Sequence, residues 1–204
     1  MSAVAVPPDR IKKLRELTGA GIMDCRKVLE ETGGDVDKAV LLLRKRGAAK
    51  AISKEGRKAE EGTVMAYVHH GGKLGAMVEL NCETDFVARN EEFVQLAKEL
   101  AMQIAATAPR WVAKDDMPAA FLAESQVEFR KQAAELGKPA DATVAEKTES
   151  LISQVCLLEQ PYIRDTGVTV ASLITDKVAK FGERIRVKRF TVFKLGEAED
   201  APAA

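Results

Sequence analysis

The chain has 204 residues, 46% of them apolar and 30% charged, which is enough apolar material for one medium domain and a small one, so disorder is expected only at the ends. Its 31 Lys and Arg side chains offset 31 Asp and Glu, leaving no global positive field to draw nucleic acid or an anionic membrane, and another protein is the expected partner. Three cysteines, Cys25, Cys82 and Cys156, without C-x-x-C spacing, indicate a reducing compartment and not a disulfide framework.

The opening Met-Ser-Ala-Val-Ala-Val-Pro-Pro lacks the basic and apolar regions of a signal peptide, and no apolar run is long enough to cross a bilayer, so a cytoplasmic protein is expected. From about Pro8 to Ala51 apolar residues recur at helical spacing in three stripes: Ile11, Leu14 and Leu17; Met23, Val28 and Leu29; Ala39, Val40, Leu42 and Leu43. The breaks at Thr18–Gly21 and at Gly33-Gly34-Asp35 predict three short helices packed together, the third capped by Asp35 and starting near Val36. Arg44 to Arg57 reads as a helix end followed by an exposed basic connector.

From Gly62 the period changes to two. Val64, Ala66 and Val68 alternate with Met65 and Tyr67, a turn follows at His70–Lys73, and Leu74, Ala76, Val78, Leu80 and Cys82 line one face of a second strand. A helix is predicted from about Glu91 through Phe93, Leu96, Ala97, Leu100 and Ile104, ended by Pro109. Further helices are predicted over about 118–136 and 144–158, then a short extended stretch leading to a helix through Val170, Leu173, Val178 and Phe181. Glu183 to Leu195 alternates as a last strand, with Ile185, Val187, Thr191, Phe193 and Leu195 on one face and Arg186, Lys188, Phe190, Val192 and Lys194 on the other. Its second half is apolar on both faces, which fits either a strand covered on both sides or a subunit interface.

Several patterns carry weak chemistry. Gly19-Ala20-Gly21 lacks the Gly-Lys-Ser/Thr of a phosphate-binding loop and fits an interhelical turn. His69 and His70, adjacent on a strand end, point to opposite faces, a poor arrangement for one metal ion. Cys82 with a histidine and Asp85 would make a thiol hydrolase, but it lies on the apolar face of its strand, where a cysteine is inert. Seven basic side chains from Arg44 to Lys58 could hold RNA, yet no aromatic residues interleave to stack on bases. The segment Thr84 to Asn90 stands apart. It is a predicted loop between a strand and a helix, with the carboxylate of Asp85 beside the ring of Phe86, and such loops commonly carry function. The alternative is structural: Phe86 and Val87 plug the core while Asp85 or Asn90 caps the next helix.

Two long motifs, Leu14-Arg15-Glu16-Leu17-Thr18-Gly19-Ala20-Gly21-Ile22-Met23-Asp24-Cys25 and Val78-Glu79-Leu80-Asn81-Cys82-Glu83-Thr84-Asp85-Phe86-Val87-Ala88-Arg89-Asn90, stand in order with a basic connector between them, and Leu158-Glu159-Gln160-Pro161 follows later. With these the chain resembles the bacterial elongation factor Ts family over nearly all its length. The resemblance implies an α+β fold: a three-helix bundle like a ubiquitin-associated domain, with its connector, over 1–55, and a core and dimerisation domain with a small antiparallel sheet and packed helices over 56–196; the last residues offer nothing large to bury, so a mobile tail is expected over 197–204. It implies a nucleotide exchange factor for elongation factor Tu, not an enzyme, with no cofactor or metal of its own and no direct contact to nucleic acid or membrane.

By motif position the resemblance assigns Arg15, Ile22 and Met23 to contact with the partner's GTPase domain, Ile22 standing where the family often has methionine. It assigns Asp85 and Phe86, shaped by Thr84 and Val87, to a loop that intrudes beside the partner's magnesium and nucleotide. The chain is too short to carry both the duplicated core half and the helical hairpin of longer members. It therefore resembles the short form, in which two subunits complete one core, giving a two-plus-two complex with the partner. Phe190, Val192 and Phe193 are the expected dimer contacts. Where some short forms carry a bridging cysteine this chain has Thr191, so the dimer would rest on packing alone.

Overall fold

A computed structural model of the chain describes residues 6–137 and 139–197. The expected tail, apart from Glu197, lies outside the described residues, as does Lys138 of the break at Lys138-Pro139.

The amino-terminal bundle forms where the punctuation requires it. Helix α1 (Pro8–Thr18) starts on a proline, whose missing N–H costs nothing at a helix start, and ends on Gly19 in the left-handed conformation at φ 65°, with its N–H donating to the Arg15 carbonyl at 2.7 Å. Helix α2 (Ile22–Glu31) follows, and α3 (Val36–Ile52) is capped by the Asp35 carboxylate, which accepts from the Lys38 N–H at 3.0 Å. Leu14, Cys25, Val28, Leu29 and Ala39 form the bundle core. Helical spacing places Leu17 and Met23 on the packed stripes, but both face solvent, which for Met23 agrees with its place in the motif. So small a bundle encloses little volume, and both residues flank the α1–α2 turn beyond it.

Helix α3 does not give way to a free connector after Arg44. It continues to Ile52 and packs on a carboxy-terminal helix, because Gly47 lets the two backbones close: a Cβ at Gly47 would lie 3.2 Å from that of Ala179. Lys54 then donates to the Gly182 carbonyl, tying the following turn to the core.

The core is built on a three-stranded antiparallel sheet, β1 (Glu61–Val68), β2 (Leu74–Cys82) and β5 (Arg186–Lys194), with β2 in the centre. A short helix α4 (Asp85–Ala88) links β2 to α5 (Glu91–Thr107). Val78, Leu80 and Cys82 of the inner face meet Phe93, Leu96, Leu100 and Ile104 of α5 and Ile174 and Val178 of α8 (Val170–Phe181). Burial of that many large side chains, at about 1.5–3 kcal/mol each, makes this the dominant stabilising cluster.

Between α5 and α8 the chain makes an antiparallel helical hairpin, α6 (Ala119–Glu135) and α7 (Ala140–Val155), the latter starting four residues earlier than its apolar pattern predicts. A small ribbon follows, β3 (Pro161–Tyr162) and β4 (Asp165–Thr169). At the hairpin base the Arg110 guanidinium lies 4.6 Å from the Trp111 ring centre and 4.7 Å from that of Phe121. The chain thus carries a helical hairpin, and only one three-stranded sheet among the described residues.

Strand β5 departs from its predicted alternation. Glu79 pairs with Arg189 but Leu80 with Val187, so Lys188 is an extra residue, a bulge that exchanges the two faces of the strand. Ile185 and Val187 point into the core as expected; beyond the bulge it is Phe190 and Val192 that point inward, and Thr191 and Phe193 that point out.

Gly62 holds β1 against β2 at φ 148°, and a Cβ there would sit 2.1 Å from the Leu80 carbonyl oxygen. Backbone cannot yield that distance within a paired ladder, so Gly62→Ala is expected to destabilise the protein by more than about 1 kcal/mol in urea unfolding.

Candidate partner-binding site

The turn after β2 is a single helical turn and not an open loop. Thr84 is extended at φ −126° and ψ 153°, and its hydroxyl accepts from the Val87 N–H, capping α4; Asn90 caps α5 in the same way, accepting from the Glu92 N–H at 2.9 Å. Within α4 the two apolar neighbours part company. Val87 is only 5% exposed and plugs the core, whereas Phe86 is 80% exposed. Asp85 projects beside it, its carboxylate 2.9 Å from the Arg89 guanidinium one turn on. Phe86 therefore does not serve its own core, and the capping is done by Thr84 and Asn90, not by Asp85.

The start of this turn is bound to the segment that leads into β5. The Glu183 carboxylate accepts the backbone N–H groups of Glu83 and Thr84 on Oε2, at 3.1 and 3.0 Å, and the Thr84 hydroxyl on Oε1, at 2.6 Å. Reciprocally, the Glu83 carboxylate accepts the Arg184 N–H at 2.6 Å and the Arg57 guanidinium at 3.3 Å. The Arg184 amide first, and then Arg57, hold the Glu83 carboxyl below the usual glutamate range.

Cys82 lies directly beneath, fully buried, its thiol donating to the Thr84 carbonyl at 3.2 Å. Burial first, and then the nearby Glu183, push it up to about 11, which leaves almost no thiolate at neutral pH and removes the thiol-enzyme reading. The three cysteines are free and buried. The Tyr67 hydroxyl lies 3.0 Å from His69 Nδ1 at the exposed hairpin end. Among the described residues no cluster of three or more His, Cys, Asp or Glu side chains is arranged to hold a metal ion, and no described helix is long and apolar enough to cross a membrane.

In the bundle, Arg15, Ile22 and Met23 are all exposed around the α1–α2 turn, Met23 at 74%, and Leu17 joins them. Periodicity had placed Leu17 inside, and only its proximity to the Gly19 break could have marked it as an edge residue. This turn abuts the core: a Cβ at Gly19 would lie 3.6 Å from the Lys180 side chain, and Lys180 Nζ is 2.6 Å from the Glu92 carboxylate in the first turn of α5. The basic stretch is internally engaged. Arg46 pairs with Glu31, Lys50 with Asp24 and Arg57 with Glu83.

Of the three residues expected at a subunit contact, Phe190 and Val192 are half-buried against the main core of the same chain, and Phe193 is 68% exposed. It shares the outer sheet face with Val64, Val68 and Met77, which no described element covers.

Residues 51–197 match the family model described as Elongation factor TS. The chain is 48% identical over 190 residues to Elongation factor Ts of Carboxydothermus hydrogenoformans, covering 92% of this chain and 88% of that one. It is 50% identical over 192 residues to Elongation factor Ts of Thermotoga petrophila, covering 93% and 96%, and 46% identical over 190 residues to that of Fervidobacterium nodosum, covering 92% and 96%.

Glu83 ionises more readily folded than unfolded, as do Glu79 beside Arg189 and Glu92 beside Lys180. Their contribution to stability is complete above the ordinary value of 4.5 and is lost as pH falls through the lower folded values. Urea unfolding at a series of pH values should therefore show stability falling below about pH 4.5, and Glu83→Gln should make that fall shallower.

Proposed function

The chain belongs to the elongation factor Ts family, the non-enzymatic nucleotide exchange factors of elongation factor Tu, and on that premise we propose that its Asp85–Phe86 turn is the part that loosens the partner's nucleotide. The observation that carries this reading is a phenylalanine 80% exposed on a turn pinned at both ends. Leaving such a ring in water forgoes about 1.5–3 kcal/mol, which burial between partner helices would recover. The partner's magnesium demands near-ideal octahedral geometry, so a displacement of about an ångström in its ligands weakens it. Asp85 acts there by repulsion and hydrogen-bond competition, with Thr84 and Val87 holding the turn. Linkage requires that nucleotide weaken factor binding to the same degree, so incoming nucleotide dissociates the complex and frees the factor.

Residues 1–55 serve as the docking module, with Arg15, Ile22 and Met23 against the GTPase domain and Leu17 extending the same apolar surface. Residues 56–196 form the core that carries the turn and pairs two subunits, so that the working assembly in the cytoplasm is two factors with two partners. The uncovered outer sheet face supports the pairing, with Phe193 as its central contact; Phe190 and Val192 contribute from behind by setting the strand's position.

Release of a fluorescent GDP from elongation factor Tu tests the wedge. Phe86→Ala is expected to slow release about tenfold or more, each factor of ten being 1.4 kcal/mol, with the melting temperature unchanged. Wild-type rates in that variant would refute the mechanism. Light scattering tests the pairing: the native protein at micromolar concentration is expected at twice the mass of the chain and Phe193→Asp at one chain, whereas a monomeric native protein removes the dimer.

A further inference from the structure

We infer that Glu183 is a positioning residue of the exchange site, fixing the direction in which the Asp85–Phe86 turn presents its ring; this rests on Phe86 being the wedge. Glu183 is 99 residues from Thr84 in sequence, yet its one carboxylate takes the backbone N–H groups of Glu83 and Thr84 and the Thr84 hydroxyl. Hydrogen bonds to a carboxylate are the stronger class, and three converge on the two residues before the turn.

The Thr84 hydroxyl explains how the effect reaches the ring. It has one hydrogen, and Thr84 Oγ1 also accepts from the Val87 N–H at 3.4 Å. An ionised carboxylate only accepts, so Glu183 draws the hydroxyl hydrogen to itself and leaves a lone pair facing Val87. The cap of α4 is thereby oriented, and with it the turn on which Phe86 stands between a capped end and the buried Val87.

Sheet stability does not account for the arrangement. The β2–β5 ladder is continued by Asn81 with Arg186 and by Leu80 with Val187, and Ile185, Val187, Leu80 and Cys82 are buried around it without help from a carboxylate. The neighbouring Glu83 carboxylate has its own donors, the Arg184 amide and Arg57, so the two amides and the Thr84 hydroxyl are left to Glu183. A side chain with three hydrogen bonds on the approach to the turn is suited to aiming it.

The test uses the full chain with Glu183→Gln, which keeps size while losing charge and one acceptor oxygen. In the free protein, amide hydrogen exchange at Glu83 and Thr84 is expected to quicken by about tenfold, and in stopped-flow release of fluorescent GDP from elongation factor Tu the maximal rate is expected to fall about tenfold with the half-saturating factor concentration changed less than about twofold. The same substitution in a Phe86→Ala background is expected to add little, because the two act through one ring. Unchanged amide exchange, or an equal fall in rate in both backgrounds, overturns the inference. Wild-type release by Phe86→Ala alone overturns the wedge instead, a separate result. Thr84→Val, which removes the hydroxyl relay and keeps the backbone amides, is expected to reproduce the loss of maximal rate; wild-type release by this variant also overturns the inference.

Discussion

Phe86 and Val87 are consecutive residues on one helical turn, about 100° apart around its axis, and the turn sends Val87 inward and Phe86 outward. Val87 is seated in the core among the inner-face residues of β2 and α5, while the ring of Phe86 stands in solvent. The rest of the molecule keeps that choice from relaxing. The Thr84 and Asn90 caps bound the turn, the buried helix α5 continues from it, and Glu183 grips its approach from across the sheet. Were the turn free to fray, the ring would gain more by folding back onto apolar surface than by staying in water, and nothing would be presented to a partner.

The same economy of attachment governs the bundle. Three short helices around Leu14, Cys25, Val28, Leu29 and Ala39 bury too little to hold a fixed orientation by themselves, and α3 supplies it by running past its own bundle onto α8 through Gly47. Lys180 then spans from the α1–α2 turn to the head of α5. Exposed ion pairs of this kind contribute at most about 1 kcal/mol each, so they orient more than they stabilise. Two apolar surfaces proposed for docking, one around Met23 and one at Phe86, are in this way carried by a single scaffold, with net charge near zero and no strong field to steer unrelated anionic molecules.

The outer face of the sheet follows from one residue. Without the Lys188 bulge the inward row of β5 would continue as Arg189, Thr191 and Phe193, placing a cation where Val78 and α5 need apolar contact. The bulge corrects the phase, sends Phe190 and Val192 inward, and leaves Arg189 paired with Glu79 at 2.7 Å on the outside. Its consequence is that Phe193, with Val68 and Met77, is left on a face that no described element covers.

Much of this was legible in the residues alone. The three amino-terminal helices with their glycine breaks, the Asp35 cap, the hairpin of β1 and β2 with its inner row and α5 came from periodicity and local capping chemistry, which depend only on neighbours in sequence; the family followed from two motifs. Other features rest on residues distant in sequence. Val87 rather than Phe86 is buried because α5 crosses the sheet where it does; Leu17 and Met23 are exposed because the bundle is too thin to enclose them; α3 runs on because Ala179 waits opposite Gly47; Glu183 matters because folding brings it to Thr84. A side chain's periodicity states that it has an apolar face available, and only the packed neighbours, brought from elsewhere in the chain, decide whether that face is filled.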